Sequence, residues 1–186
     1  MRVTINSLNI NEYKALIKLA EELSLDLIRF TPILLLGRAK ENQNLLINQK
    51  QYIYFLKNIQ NIKSKIIVEF PGKEDERKWW TPPEEFGCHC GNETCWITQL
   101  GDFYPCIFLG DSFIVGNIKN ESFLNLWAKS KNMVELVGNE ICNNCSNFLK
   151  CRGGCRARVL AEYKNINAID PLCPLKRNRF KPIKSI

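Results

Sequence analysis

The chain has little that points to a membrane or to export. No apolar run in its 186 residues reaches the roughly 20 that a bilayer-spanning helix needs. The first residues, MRVTINSLNINEYK, contain no apolar h-region of a signal peptide. Histidine occurs once, at His89, and there is no internal repeat and no low-complexity stretch. The missing export signal points to a reducing, cytoplasmic compartment, where disulfides are disfavoured and metal binding by thiols is favoured. What the chain does have is cysteine. There are nine, an odd number that fits full disulfide pairing badly.

Composition is otherwise ordinary for one or two globular domains, with 45% hydrophobic and 24% charged residues. The formal charge of +7 raises the question of nucleic acid. The positive residues are scattered, however, apart from a tail of Lys176, Arg177, Arg179, Lys181 and Lys184, which reads as a solvated basic end. No nucleic-acid partner and no membrane partner is expected.

Residues 1–70 alternate between strand and helix patterns. Val3-Thr4-Ile5 is a short β-prone run. Asn9, with Glu12 three residues later, reads as a helix start. Tyr13, Leu16, Ile17, Ala20 and Leu23 then follow at helical spacing on one apolar face. Residues 26–30 form the next strand, and Pro32 and Gly37-Arg38-Ala39 mark a loop. A second helix is expected from Gln49 to Asn61, facing inward through Tyr52, Phe55, Leu56 and Ile59, and Ile66 to Phe70 is a third strand. This order implies an α/β fold with a parallel sheet. So small a unit neither closes a barrel nor covers its own edges, so it is expected to be the end of a larger α/β domain.

Residues 71–87, PGKEDERKWWTPPEEFG, read as a linker rich in proline and charge, with Trp79-Trp80 packing on a neighbouring surface. From Cys88 the character changes, and the whole becomes α+β. Trp96-Ile97-Thr98 and Phe103-Tyr104-Pro105 flank a hairpin with Gly101-Asp102 at its tip. Residues 114–118 form a short strand into a turn. Ser122 caps a helix that turns Phe123, Leu126 and Trp127 inward. Another helix is expected from Cys155 onward. The expected divisions are 1–70, a linker at 71–87, a cysteine-rich domain at 88–175 and the basic tail at 176–186.

Four cysteines fall within fourteen residues, in Cys142-x2-Cys145-x5-Cys151-x3-Cys155. Cys88, Cys90, Cys95 and Cys106 precede them, and Cys173 follows. Eight is the number that two four-cysteine centres take. Structural zinc sites use two short-spaced pairs, usually about a dozen or more residues apart. Here only five residues separate Cys145 from Cys151, although two zinc sites would also use eight thiols. Iron–sulfur clusters tolerate a compact run combined with distant ligands. Gly153-Gly154 lets backbone approach a bulky inorganic core without Cβ clashes.

The stretch from Cys88 to Cys173 resembles the SPASM domain, the C-terminal module of many radical S-adenosylmethionine (radical SAM) enzymes. The family pattern is C-x(9–15)-G-x4-C, then C-x2-C-x5-C-x3-C, then a distant C. It is matched by Cys88-x12-Gly101-x4-Cys106, by Cys142, Cys145, Cys151 and Cys155, and by Cys173. GDFYPC matches the family's "GdvyPC", and Gly116-Asn117-Ile118 with Leu124 and Trp127 matches "GNi…sl…iW". Asn9-x-x-Glu12, the helix to Leu23 and IRFTPILLLGRA resemble the fifth strand, fifth helix and sixth strand of a radical SAM partial barrel.

The resemblance implies two auxiliary [4Fe–4S] clusters with interleaved ligands. One would use Cys88, Cys95, Cys106 and Cys155, and the other Cys142, Cys145, Cys151 and Cys173. Family members often read C-G-A-G-R-x-x-C where this chain has CHCGNETC, and Cys90, directly before Gly91, competes with Cys88 as first ligand. His89 reads as a solvent-facing neighbour. Two clusters of net charge about −2 each would lower the overall charge to roughly +3. The family's CxxxCxxC loop, which holds the catalytic cluster and anchors S-adenosylmethionine, is absent from this sequence. The aspartate that sulfatase-maturing relatives carry after the third auxiliary ligand is replaced by Ile107. No catalytic residue is therefore assigned, and this chain alone is not expected to cleave S-adenosylmethionine. It resembles a truncated gene product or one half of a split enzyme. A separate radical SAM half would supply S-adenosylmethionine chemistry, on a peptide or small-molecule substrate of the maturation type. The alternative is a zinc-binding interaction module without redox activity.

Overall fold

The computed structural model describes residues 1–71, 88, 90–135, 142, 144–146, 148–151 and 153–173. They divide into two compact units. One runs from Met1 through the parallel sheet and takes in Pro171, Leu172 and Cys173 as well. The other runs from the first cysteines to Asp170. The sequence had placed residues 171–175 with the second unit. By its contacts, the chain changes units between Asp170 and Pro171.

In the first unit, β1 (Arg2–Ile5), β2 (Leu27–Pro32) and β3 (Ile67–Glu69) form a parallel sheet in the order β1-β2-β3. Arg2 is opposite Arg29, and Leu27 is opposite Ile67. Helix α1 (Tyr13–Glu22) connects the first pair of strands, and α2 (Gln49–Ile59) lies between the second pair. A parallel pair needs such crossovers. Helix α1 begins later than its sequence suggests. Asn9 does not cap it: the Asn9 side chain accepts from the Asn6 amide at 2.8 Å and donates to the Thr4 carbonyl at 3.1 Å. These local bonds compete with helix formation and hold residues 6–9 in a turn. Glu12 occupies the N-cap without a side-chain bond. Helix α2, by contrast, has a full capping box. Asn48 accepts from the Gln51 amide at 2.9 Å, and Gln51 accepts from the Asn48 amide at 2.9 Å.

The helical faces are those expected, with one exception. Tyr13, Ile17 and Ala20 of α1 are buried, as are Tyr52, Phe55 and Ile59 of α2, but Leu23 is 57% exposed because α1 has already ended at Glu22. Phe55 is fully buried at the centre, with the rings of Tyr13, Phe30 and Phe70 edge-on at 5.5, 5.9 and 6.5 Å. Leu172, from the far end of the sequence, is part of the same core.

In the second unit, β4 (Trp96–Ile97), β5 (Asp102–Tyr104) and β6 (Gly116–Asn117) form an antiparallel sheet. Asp102 pairs with Asn117 within this ladder, so the turn ends at Gly101 rather than including Asp102. Helix α3 (Phe123–Glu135) is capped by Ser122, whose hydroxyl accepts from the Asn125 amide at 3.3 Å. Only part of its expected inner face is buried. Leu126 is fully buried, whereas Phe123 is 48% exposed and bridges the Phe103 and Trp127 rings. Gly116 makes this packing possible, since a Cβ there would stand 2.6 Å from Leu126 Cδ2. Later in the chain come α4 (Phe148–Cys151) and α5 (Arg156–Tyr163), the latter burying Val159, Ala157 and Ala161. No helix among the described residues is long and apolar enough to cross a membrane. The linker beyond Pro71, His89 and the basic tail lie outside the described residues.

Candidate metal centre

The segment GDFYPC delivers a cysteine to a fixed place. Phe103 is fully buried, Tyr104 donates to Asp111 at 2.8 Å, and Pro105 is fully buried. Pro105 offers no N–H to extend the ladder, so β5 stops there. Cys106 follows as the N-cap of a 3₁₀ turn, Ile107–Leu109. Helix α5 packs against that turn, and its own N-cap is Cys155. Two elements that each begin at a cysteine, 49 positions apart in the chain, are thus packed together.

Electrostatics link more of the sulfurs. Cys90 lies within hydrogen-bond reach of Cys106 and of Cys88, and those contacts, with burial, push its thiol far up. Cys106 is the acceptor of the pair. The Cys90 hydrogen bond lowers its pKa against the opposing effect of burial, and the N–H groups of Phe108 and Leu109 lower it further. Of this pair, Cys106 is the first to become a thiolate. Burial pushes Cys155 up, Arg158 opposes that, and the Cys88 sulfur adds to the rise. Cys88, Cys90, Cys106 and Cys155 therefore form one electrostatic neighbourhood. Cys95, half-buried just before β4, is raised by burial alone. No group of three or more Cys, His, Asp or Glu side chains among the described residues is arranged to hold a metal ion. The thiols are gathered without being closed around a centre.

The cysteine run coils through successive turns. The Cys145 amide bonds to the Cys142 carbonyl at 3.0 Å, Phe148 to Cys145 at 2.9 Å, and Gly154 to Cys151 at 2.9 Å. Each such turn brings the chain back on itself within about 7 Å, so the run stays local. Gly153 and Gly154 follow with φ of +80° and +81°, the left-handed region that favours glycine.

A carboxylate that the sequence had not flagged holds this corner. Asp170, 3% exposed, accepts from the Cys155 amide at 2.7 Å and from Nε and Nη2 of Arg158, at 2.9 and 2.8 Å. Such two-point Arg–carboxylate pairs are strong and directional. The only sequence signal was two charges next to cysteines, because residues 155 and 170 are joined by the fold alone. Arg156 was missed too. It is buried, and its Nη1 donates to the Ile166 and Ala168 carbonyls at 2.9 and 3.1 Å. Cys173 belongs to the first unit, where its carbonyl accepts from the Gln49 side chain.

Residues 88–152 match SPASM, an iron–sulfur cluster-binding domain. A stretch of 102 residues is 32% identical to the AdoMet-dependent heme synthase of Nitratidesulfovibrio vulgaris, covering 53% of this chain and 27% of that protein. A stretch of 93 residues is 30% identical to the AdoMet-dependent heme synthase of Methanosarcina barkeri, covering 47% of this chain and 25% of that protein. The matched part thus spans about a quarter of each relative's length. The fold is similar to the solved structure of native anSMEcpe with bound AdoMet and Cp18Cys peptide. There the TM-score is 0.58 at 20% identity, over 92% of this chain and 52% of that one. The chain therefore carries a SPASM domain, an iron–sulfur cluster-binding domain, and is partially homologous to radical SAM heme synthases.

Proposed function

We propose that this protein holds two auxiliary [4Fe–4S] clusters in the C-terminal part of a radical SAM enzyme. One cluster is ligated by Cys88, Cys95, Cys106 and Cys155, with Cys90 as the alternative to Cys88, and the other by Cys142, Cys145, Cys151 and Cys173. The observation that carries this reading is the neighbourhood of Cys88, Cys90, Cys106 and Cys155 inside the segment that matches SPASM. The donors fit the group. They are all soft sulfur, as iron–sulfur ligation requires. The Phe108 and Leu109 amides already favour a thiolate at Cys106.

A cluster with four cysteine ligands has no open coordination position, so electron transfer suits these centres better than substrate ligation. The first unit, with its parallel sheet and alternating helices, is read as the late strands and helices of a partial barrel. S-adenosylmethionine enters only if a CxxxCxxC-bearing half is present, since this sequence lacks that motif. The substrate would then be a haem precursor, by the names of the sequence relatives, or a peptide, by the ligand of the similar fold. In either case the chain acts in maturation chemistry in a reducing, cytoplasmic setting.

Anaerobic reconstitution with iron and sulfide tests this. The expected product is brown, with a broad band near ~400 nm and about eight iron and about eight sulfide per chain. A colourless protein that takes up stoichiometric zinc under the same treatment would overturn the cluster reading in favour of a zinc-binding interaction module.

A further inference from the structure

Arg156 is only 8% exposed, yet two of its three guanidinium nitrogens bind nothing among the described residues. Nη1 is satisfied by two neutral carbonyls, those of Ile166 and Ala168. Nε and Nη2 are buried and without a partner among the described residues. Asp170, the buried carboxylate that caps Cys155, is already engaged at both oxygens by Arg158 and by the Cys155 amide. The guanidinium lies against Gly153, where a Cβ would stand 3.1 Å from Nη2 and 3.3 Å from Cζ. A buried cation with two idle donors and no counter-charge is costly, and native proteins keep one only where something else pairs with it. Arg156 directly follows Cys155, and its unpaired edge lies against Gly153 in the Cys151–Cys155 turn, where the reading above places one ligand of each anionic iron–sulfur centre.

We propose that Arg156 donates through Nε and Nη2 to sulfur of the centre that Cys155 ligates, and so raises its reduction potential. The inference rests on the cluster reading. The physical reason is simple. Taking one electron from an external reductant makes the centre more negative by one charge, and fixed donors stabilise that form more than the oxidised one. Arg156 is thus a positioning and tuning residue. Its planar, two-donor edge is the part that lysine cannot reproduce.

The test uses the full chain, reconstituted anaerobically, as wild type, Arg156→Lys and Arg156→Gln, with Lys129→Gln as a charge-loss control on the exposed surface. Cluster reduction is titrated with dithionite and followed by low-temperature EPR. For Arg156→Gln, the reduced-to-oxidised ratio of one centre at fixed potential should fall about tenfold, which is ~59 mV downward for one electron. Arg156→Lys should fall between, and Lys129→Gln should not move. Fully loaded variants with wild-type potentials would overturn the proposal, even if their unfolding midpoints fell, because that is the signature of a purely structural arginine. Should neither variant load, wild-type protein labelled with ¹⁵N-arginine decides. A ¹⁵N hyperfine coupling to the reduced centre supports the donor role, and its absence refutes it. A colourless wild type sinks the cluster reading and this inference together, whereas a brown wild type with unmoved potentials sinks the inference alone.

Discussion

Replacing Gly154 with alanine should be among the most damaging single-methyl changes in the second unit, and its neighbour provides the control. Gly153 and Gly154 have nearly the same backbone, φ +80° and +81°, so alanine costs either about 1–2 kcal/mol in backbone strain. They differ in what the new methyl meets. At Gly153 it lies 3.1 Å from the tip of the Arg156 side chain, which can shift by a few tenths of an ångström. At Gly154 it lies 2.3 Å from Asp170 Oδ2 and 2.8 Å from Asp170 Cβ and Cγ. Asp170 cannot give way easily, because Arg158 grips both its oxygens and the Cys155 amide holds one of them. Moving it strains or breaks charge-assisted hydrogen bonds worth about 1.5–3 kcal/mol each. Gly154→Ala should therefore cost ~3–5 kcal/mol in total and Gly153→Ala ~1–2 kcal/mol. Urea unfolding, followed by circular dichroism and tryptophan fluorescence, reads both. Equal losses in the two variants, within about 0.5 kcal/mol, would refute the claim that Asp170 is a pinned strut.

Three further outcomes are expected. Phe55→Ala, at the fully buried centre of the first unit, should lower stability by ~3–5 kcal/mol in denaturant unfolding; a loss below about 1 kcal/mol would mean that this core is not the one described. Glu21 accepts from the Ser64 hydroxyl and the Lys65 amide, and these bonds hold its carboxyl below the usual range. Its folded pKa being depressed, the stability it adds is present above the unfolded value of about 4.3 and lost as pH falls through the folded one. The gap in unfolding midpoint between wild type and Glu21→Gln should thus close on going from pH 7 to pH 3, and a gap independent of pH would refute it. Finally, Cys106→Ser and Cys88→Ser should each lower bound iron by about four atoms while Cys90→Ser keeps about eight. Iron assay reads this directly, and the reverse result for residues 88 and 90 would assign Cys90 as the ligand.

Some features were legible because they are local. The apolar spacing of Tyr13, Ile17 and Ala20 and of Tyr52, Phe55 and Ile59 fixed two buried helical faces. The β-prone runs fell within one or two residues of the three parallel strands. The Asn9–Glu12 signal misled because Asn9 bonds backward to Asn6 and Thr4, a competition that a cap motif cannot reveal. Phe123 kept its helical position but not its burial, since the small sheet covers only Leu126 fully.

By itself the sequence determined the chemistry of the site: nine sulfurs, their spacing, and glycines placed where a side chain would intrude. Those are properties of residue type and order, and they suffice to match SPASM. Only the tertiary structure decided which sulfurs meet. Cys90 comes within reach of Cys106 and Cys88, and α5, which Cys155 starts, packs on the turn that Cys106 starts. The same fold carries Asp170 back to clamp the Cys155 amide, and it buries Arg156 with Nε and Nη2 unpaired among the described residues. A pairwise spacing rule reads neither event, because each depends on two distant segments being packed against one another before any local signal exists.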